Sequence, residues 1–172
     1  MNKIVAYSDK VIRFLRITFV GISGLALLGL TLMTTADTFM RFVLNAPFPA
    51  SVEISQLIQP YIVFLPFAYA LHMGSHVRVT LITERFSGRV RLFLEFLPFL
   101  IGTIFFAVMT YISWIRFSAS FRIQETMLAA IRLYWWVGKM AMPIGLGLMT
   151  LECLNKSIQT FNAIINNKQV VE

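Results

Sequence analysis

Residues 17–36, 54–75 and 96–115 contain no Asp, Glu, Lys or Arg, and a fourth apolar run over 133–153 is interrupted near its start by Lys139. A helix rises about 1.5 Å per residue, so about 20 apolar residues cross a hydrocarbon layer of about 30 Å. Each run is that long. None shows the polar stripe at helical period that a soluble helix needs to face water. The expected fold is therefore an all-α membrane protein: four transmembrane helices near 17–40, 54–75, 93–115 and 133–153, forming a single four-span integral membrane domain over residues 1–172. Apolar residues make up 58% of the chain and mean hydropathy is +0.74, both outside the range of soluble proteins.

The first run has a basic approach in Lys3, Lys10, Arg13 and Arg16. It is longer than the core of a secretory signal, and the sequence from Thr34 to Asp37 makes a poor cleavage site, so it reads as a retained anchor. The net charge of +7 lies mostly in short segments at the ends of the runs, where it meets anionic lipid and sets orientation. No basic stripe is interleaved with aromatics, and nucleic acid is not an expected partner. Cys153 is the one cysteine, which excludes disulfides within the chain and cysteine-based zinc or iron–sulfur centres.

Four crossings place both termini and the middle loop on one side. That side carries ten Lys and Arg, counting Arg78, Arg85, Arg89, Arg91, Lys156 and Lys168 with the four at the N-terminus. The other side carries five: Arg41, Arg116, Arg122, Arg132 and Lys139. The excess predicts cytoplasmic termini.

Two stretches outside the runs read as interfacial. Pro47 and Pro49 forbid regular helix in 42–51, whose Phe42, Val43, Leu44 and Phe48 suit the headgroup boundary. Ser51 is a good N-cap for the second span, with Glu53 in its first turn. Pro60 and Pro66 predict a bent second span packed on protein. Over 116–132, Phe117, Phe121, Leu128 and Ile131 recur at helical spacing among polar residues, which predicts a short amphipathic helix lying in the interface, followed by Tyr134, Trp135 and Trp136 at headgroup level.

Ionisable groups in membrane segments are functional candidates. Asp37 and Arg41, four apart, share a helix face and suit a mutual salt bridge or a docking point. Glu53 suits the helix dipole or an anchor between helices or subunits, with Arg41 in reach. His72 and His76 stand on one face near the end of the second span. Two imidazoles on one helix do not make a bis-histidine haem site, and zinc would need further ligands; hydrogen bonding at the interface fits them better. Lys139 suits snorkelling to the headgroups or a carboxylate in a partner chain. Ala141 and Gly145 form a small-xxx-small pair, joined by Gly138 and Gly147, and Pro143 bends the span. No nucleophile, base and carboxylate converge, no phosphate loop is present, and the spans hold too few polar groups to line a private solute path. No enzyme, metal or cofactor is expected.

Asp37, Arg41 and Asn45, then Glu53 opening the second span, then Gly74, His76, Arg78 and Val79 leaving it, resemble the pattern of the small membrane subunit (DctQ-like, or Q subunit) of tripartite ATP-independent periplasmic (TRAP) transporters. The likeness covers about residues 10–155. Two positions depart: Ala50 stands where the family often has Trp, and Thr80 where it often has Asp. The resemblance implies a bacterial inner-membrane protein with two partners. One is a large multi-span subunit that binds solute and sodium. The other is a periplasmic substrate-binding protein delivering an organic acid. The small subunit then acts as a scaffold, with Asp37, Arg41, Glu53, His76, Arg78 and Lys139 as candidate subunit or docking contacts. Two rivals stand beside it: the membrane anchor of a quinone-linked oxidoreductase, and a self-contained small proton-coupled exporter using Glu53.

Overall fold

The computed structural model describes residues 3–73, 89–128 and 131–166. Five helices account for nearly all of them: α1 (Lys3–Val43), α2 (Ser51–Phe64), α3 (Phe67–His72), α4 (Arg89–Arg122) and α5 (Trp135–Asn166). Four helical units are long and apolar enough to cross a membrane: Ile12–Val43, Ser51–His72, Phe96–Arg122 and Trp135–Asn162. The described residues contain no strand beyond an isolated bridge between Thr126 and Tyr134.

Local chemistry sets the helix ends. Asn45 adopts φ 50 just past α1, a left-handed conformation that Asn tolerates. Pro47 and Pro49 then keep the chain irregular up to α2. The N-cap of α2 is Ala50, at φ 59 and without a side-chain cap, and not Ser51, which lies buried in the first turn. Ser51 is buried, and its carbonyl accepts from Ser55 Oγ at 2.7 Å. Pro60 is accommodated inside α2. At Pro66 the missing N–H ends the ladder, so α2 stops at Phe64 and α3 restarts at Phe67. The second proline thus interrupts the hydrogen-bond ladder, while Leu65 and Pro66 stay right-handed and Ser51–His72 runs on as one spanning unit.

In 116–132 the structure departs from the sequence reading. Residues 116–122 continue α4, because nothing between Pro98 and Arg122 interrupts it. The helix then closes in a Schellman arrangement: Glu125 N–H donates to Ser120 O at 3.1 Å and Gln124 N–H to Phe121 O at 3.3 Å, with Gln124 left-handed at φ 48. The chain reverses through a narrow loop, with Met127 N–H bonded to Leu133 O and Trp135 N–H to Glu125 O. Among the described residues no interfacial helix follows Arg122. The apolar spacing joined Phe117 and Phe121 of α4 to Leu128 and Ile131 of the loop, and those two project outward.

The helices stand side by side in the order α1, α2/α3, α5, α4, with α1 resting on α2 and α3, and α5 between α2/α3 and α4. Half of the most apolar stretch of α5 is buried, against none of that of α4. In lipid, apolar contact alone does not drive helices together, since the tails are as apolar as Leu; close approach and polar pairs do. Gly145 supplies the closest approach: a Cβ there would lie 2.2 Å from the Phe64 carbonyl oxygen, at the point where α2 ends. Gly138 meets Leu57 one layer away, and Ala141 between them is fully buried. Tyr61 Oη donates to Val137 O at 2.5 Å, joining α2 to α5. Hydroxyls along α1 bond back to their own helix, as Thr31 does to Leu27 O and Thr38 to Thr34 O, which satisfies them in an apolar setting. Two buried clusters fill the half nearer Glu152. Ile12, Ala68 and Leu148 join α1, α3 and α5, and Leu71, Met149 and Cys153 lie under Phe99 and Phe106 of α4.

Candidate functional site

At one end of the row, three helices converge on a carboxylate. Glu152 of α5 is 3% exposed and Arg16 of α1 is 6% exposed. Arg16 Nη1 donates to Glu152 Oε1 at 2.6 Å, and His72 Nδ1, from the last residue of α3, lies 3.3 Å from the same oxygen. Glu152 Oε2 is buried without a hydrogen-bond partner. One turn further along α5, Lys156 Nζ donates to the Leu71 carbonyl at 2.9 Å, closing the C-terminal end of α3. From the sequence Arg16 reads as an orientation charge, and Glu152 belongs to no local motif. The signal was a single carboxylate near the end of an apolar run, which requires a cation from another helix.

The opposite end carries two separate pairs. Arg41 Nε donates to Asp37 Oδ2 at 2.8 Å, the pair expected from their spacing. Asp37 Oδ1 also accepts the Phe48 backbone N–H at 2.7 Å, so the carboxylate ties the proline-containing loop to the end of α1. On the α4–α5 side, Lys139 Nζ donates to Glu125 Oε2 at 2.5 Å, and Ser120 Oγ donates to the same oxygen at 2.6 Å. The carboxylate that Lys139 meets belongs to its own chain. The Lys139 hydrogen bond, then that of Ser120, hold the Glu125 carboxyl below its ordinary range. Lys139 also lies 6.0 Å from the centre of the Trp135 ring.

Glu53 stands half-buried in the first turn of α2 and forms no ion pair among the described residues; Arg41 is engaged with Asp37 instead. His72 is drawn to Glu152. His76, Arg78 and the rest of the 74–79 exit motif lie outside the described residues.

On α2, the exposed positions are Val52, Gln56, Gln59 and Val63. Gln56 and Gln59 form a shallow groove with Pro60, Val63 and Phe64 against Trp135 at the start of α5. A second shallow groove, between α4 and α5, is lined by Ala107, Thr110, Tyr111, Trp114, Pro143 and Ile144 and is almost wholly apolar. Six charged side chains thus form three neutralising pairs near the two ends, while the middle of the described row is packed with apolar side chains and small residues.

No individual curated protein matches this chain. Residues 30–163 match the family described as tripartite ATP-independent periplasmic transporters, DctQ component. That stretch takes in Asp37, Arg41, Glu53, Lys139, the α2–α5 contact at Gly145, and Glu152. The chain belongs to the DctQ family and is a component of a tripartite ATP-independent periplasmic transporter.

Proposed function

We propose that this protein is the small scaffold subunit of a sodium-coupled, binding-protein-dependent transporter for an organic acid. It supports a large membrane subunit that binds the solute and sodium, and it helps a periplasmic substrate-binding protein to dock. The observation that carries this reading is the disposal of charge. Arg16 with Glu152, Arg41 with Asp37 and Lys139 with Glu125 neutralise one another within the chain near the row's two ends. A moving solute or ion needs polar groups at mid-depth that are free to exchange partners, and family membership supplies the partners that would provide them.

In this reading the protein sits in the bacterial inner membrane with both termini cytoplasmic, on the balance of ten basic residues against five. The Glu152 cluster then faces inward, and Asp37, Arg41 and Glu53 lie at the periplasmic end. Asp37 and Arg41 shape the loop offered to a partner there. Lys139 fixes the α4–α5 loop beside them, and His76 and Arg78 contribute contacts on the cytoplasmic side.

Reconstitution tests this directly. Vesicles holding this chain and the large subunit, supplied with the binding protein and an inward sodium gradient, are expected to accumulate the organic acid. Vesicles holding this chain alone are expected to accumulate none. Gradient-driven uptake by the chain alone, abolished in Glu53→Gln, would overturn the scaffold role and favour a self-contained carrier.

A further inference from the structure

The geometry points to the Val52–Gln56–Gln59–Val63 face of α2 as the seam that receives one transmembrane helix of the large subunit, through hydrogen bonds to the two glutamines. This rests on the scaffold reading and names the surface it would use.

The four residues are the exposed positions of α2. Their spacing of four, three and four is that of a helix–helix seam, and at about 100° per residue they share an arc of about 60°. Gln59 lies eight residues into the span, about 12 Å from its start. Neither glutamine side chain makes a hydrogen bond among the described residues. Pro60, beside them, has no N–H, so the Gln56 carbonyl lacks its usual helical donor. Two amides and a carbonyl facing hydrocarbon are costly until a neighbour satisfies them.

The other outward faces are different in kind. α4 presents Ile101, Ile104, Phe105, Val108 and Ile112, and α1 presents Leu25, Leu28 and Leu32, which lipid covers at no cost. The family is a component of a tripartite transporter, so a different membrane polypeptide is the neighbour that scaffold role supplies. A helix of that polypeptide carrying amide or hydroxyl donors at two heights about one turn apart fits both glutamines.

The test is photocrosslinking in the intact complex, with benzoylphenylalanine placed in turn at Val52, Val63 and Ile104 of the full chain expressed with its large subunit. Adducts of this chain with the large subunit are expected from Val52 and Val63 and not from Ile104. In parallel, Q56L/Q59L is expected to lower the large subunit recovered with this chain about fivefold, the scale of one or two lost interhelical hydrogen bonds in lipid. The variant's own thermal unfolding should be unchanged, since the amides bond to nothing within the chain. Heteromeric adducts from Ile104 alone would overturn the seam and leave the scaffold reading standing, as would undiminished recovery with Q56L/Q59L. Adducts of twice this chain's mass from Val63 would overturn it in favour of a second copy. Failure of the unmodified chain to retain any large subunit would overturn both.

Discussion

The two ends of the helix row handle charge in opposite ways. At the Glu152 end, Arg16 and Glu152 come from helices 136 residues apart, are buried, and draw in His72 from a third helix. At the other end, the pairs are separated by four and by fourteen residues, lie partly exposed, and serve loops. A buried pair is sensitive to the loss of either member, because the survivor is left charged in an apolar place; an exposed pair is largely screened. The first end therefore fixes which helices adjoin, and the second fixes the shape of what protrudes.

The sharpest way to break this contrast is Glu152→Ala. Leaving Arg16 buried without its carboxylate should destabilise the chain by about 3–5 kcal/mol, read as a fall in melting temperature in detergent. Replacing both partners, R16M with E152L, should recover most of that loss, because an apolar pair of similar volume carries no desolvation cost. Recovery no better than the single variant would mean that the pair does more than hold α1 against α5.

Next in size is Gly145→Val. Side-chain atoms forced against the Phe64 carbonyl must push α5 off α2, at a cost of about 1–3 kcal/mol, whereas Gly21→Val on the open side of α1, where an added Cβ meets nothing, should cost far less by the same melting measurement. Asp37→Asn should leave the global melting temperature nearly unchanged while loosening the loop at Phe48, detected as faster limited proteolysis within 44–50. The smallest effect is a pH dependence at Glu125. Its carboxyl is held below the ordinary value of 4.5 by Lys139, so the contribution is complete above that value and is lost as pH falls through and below it. Tryptophan fluorescence from Trp135, beside Lys139, should report this transition, and Glu125→Gln should remove it.

Three of the spans were legible because a charge-free run of that length has few other uses, and the fourth because its apolar run is long enough despite Lys139. Asp37 with Arg41 was legible because four residues on a helix bring two side chains together whatever surrounds them. Lys139 with Glu125 was hidden, since their meeting depends on the reversal that left-handed Gln124 permits, and Gln is not a residue that announces such a turn. Arg16 with Glu152 was hidden for a larger reason: no local rule says which helices adjoin in a row. The glycines lay between these cases. Ala141 and Gly145 marked a close approach, but the sequence did not say that the surface approached would be the end of α2.

The side-by-side order of the helices has a consequence for contact. A row displaces lipid along a longer line than a round bundle of equal mass, and α1, 41 residues long, forms one margin of it. Such an arrangement leaves each inner helix with two flanks open to lipid or to a neighbouring helix, where a round bundle would leave one.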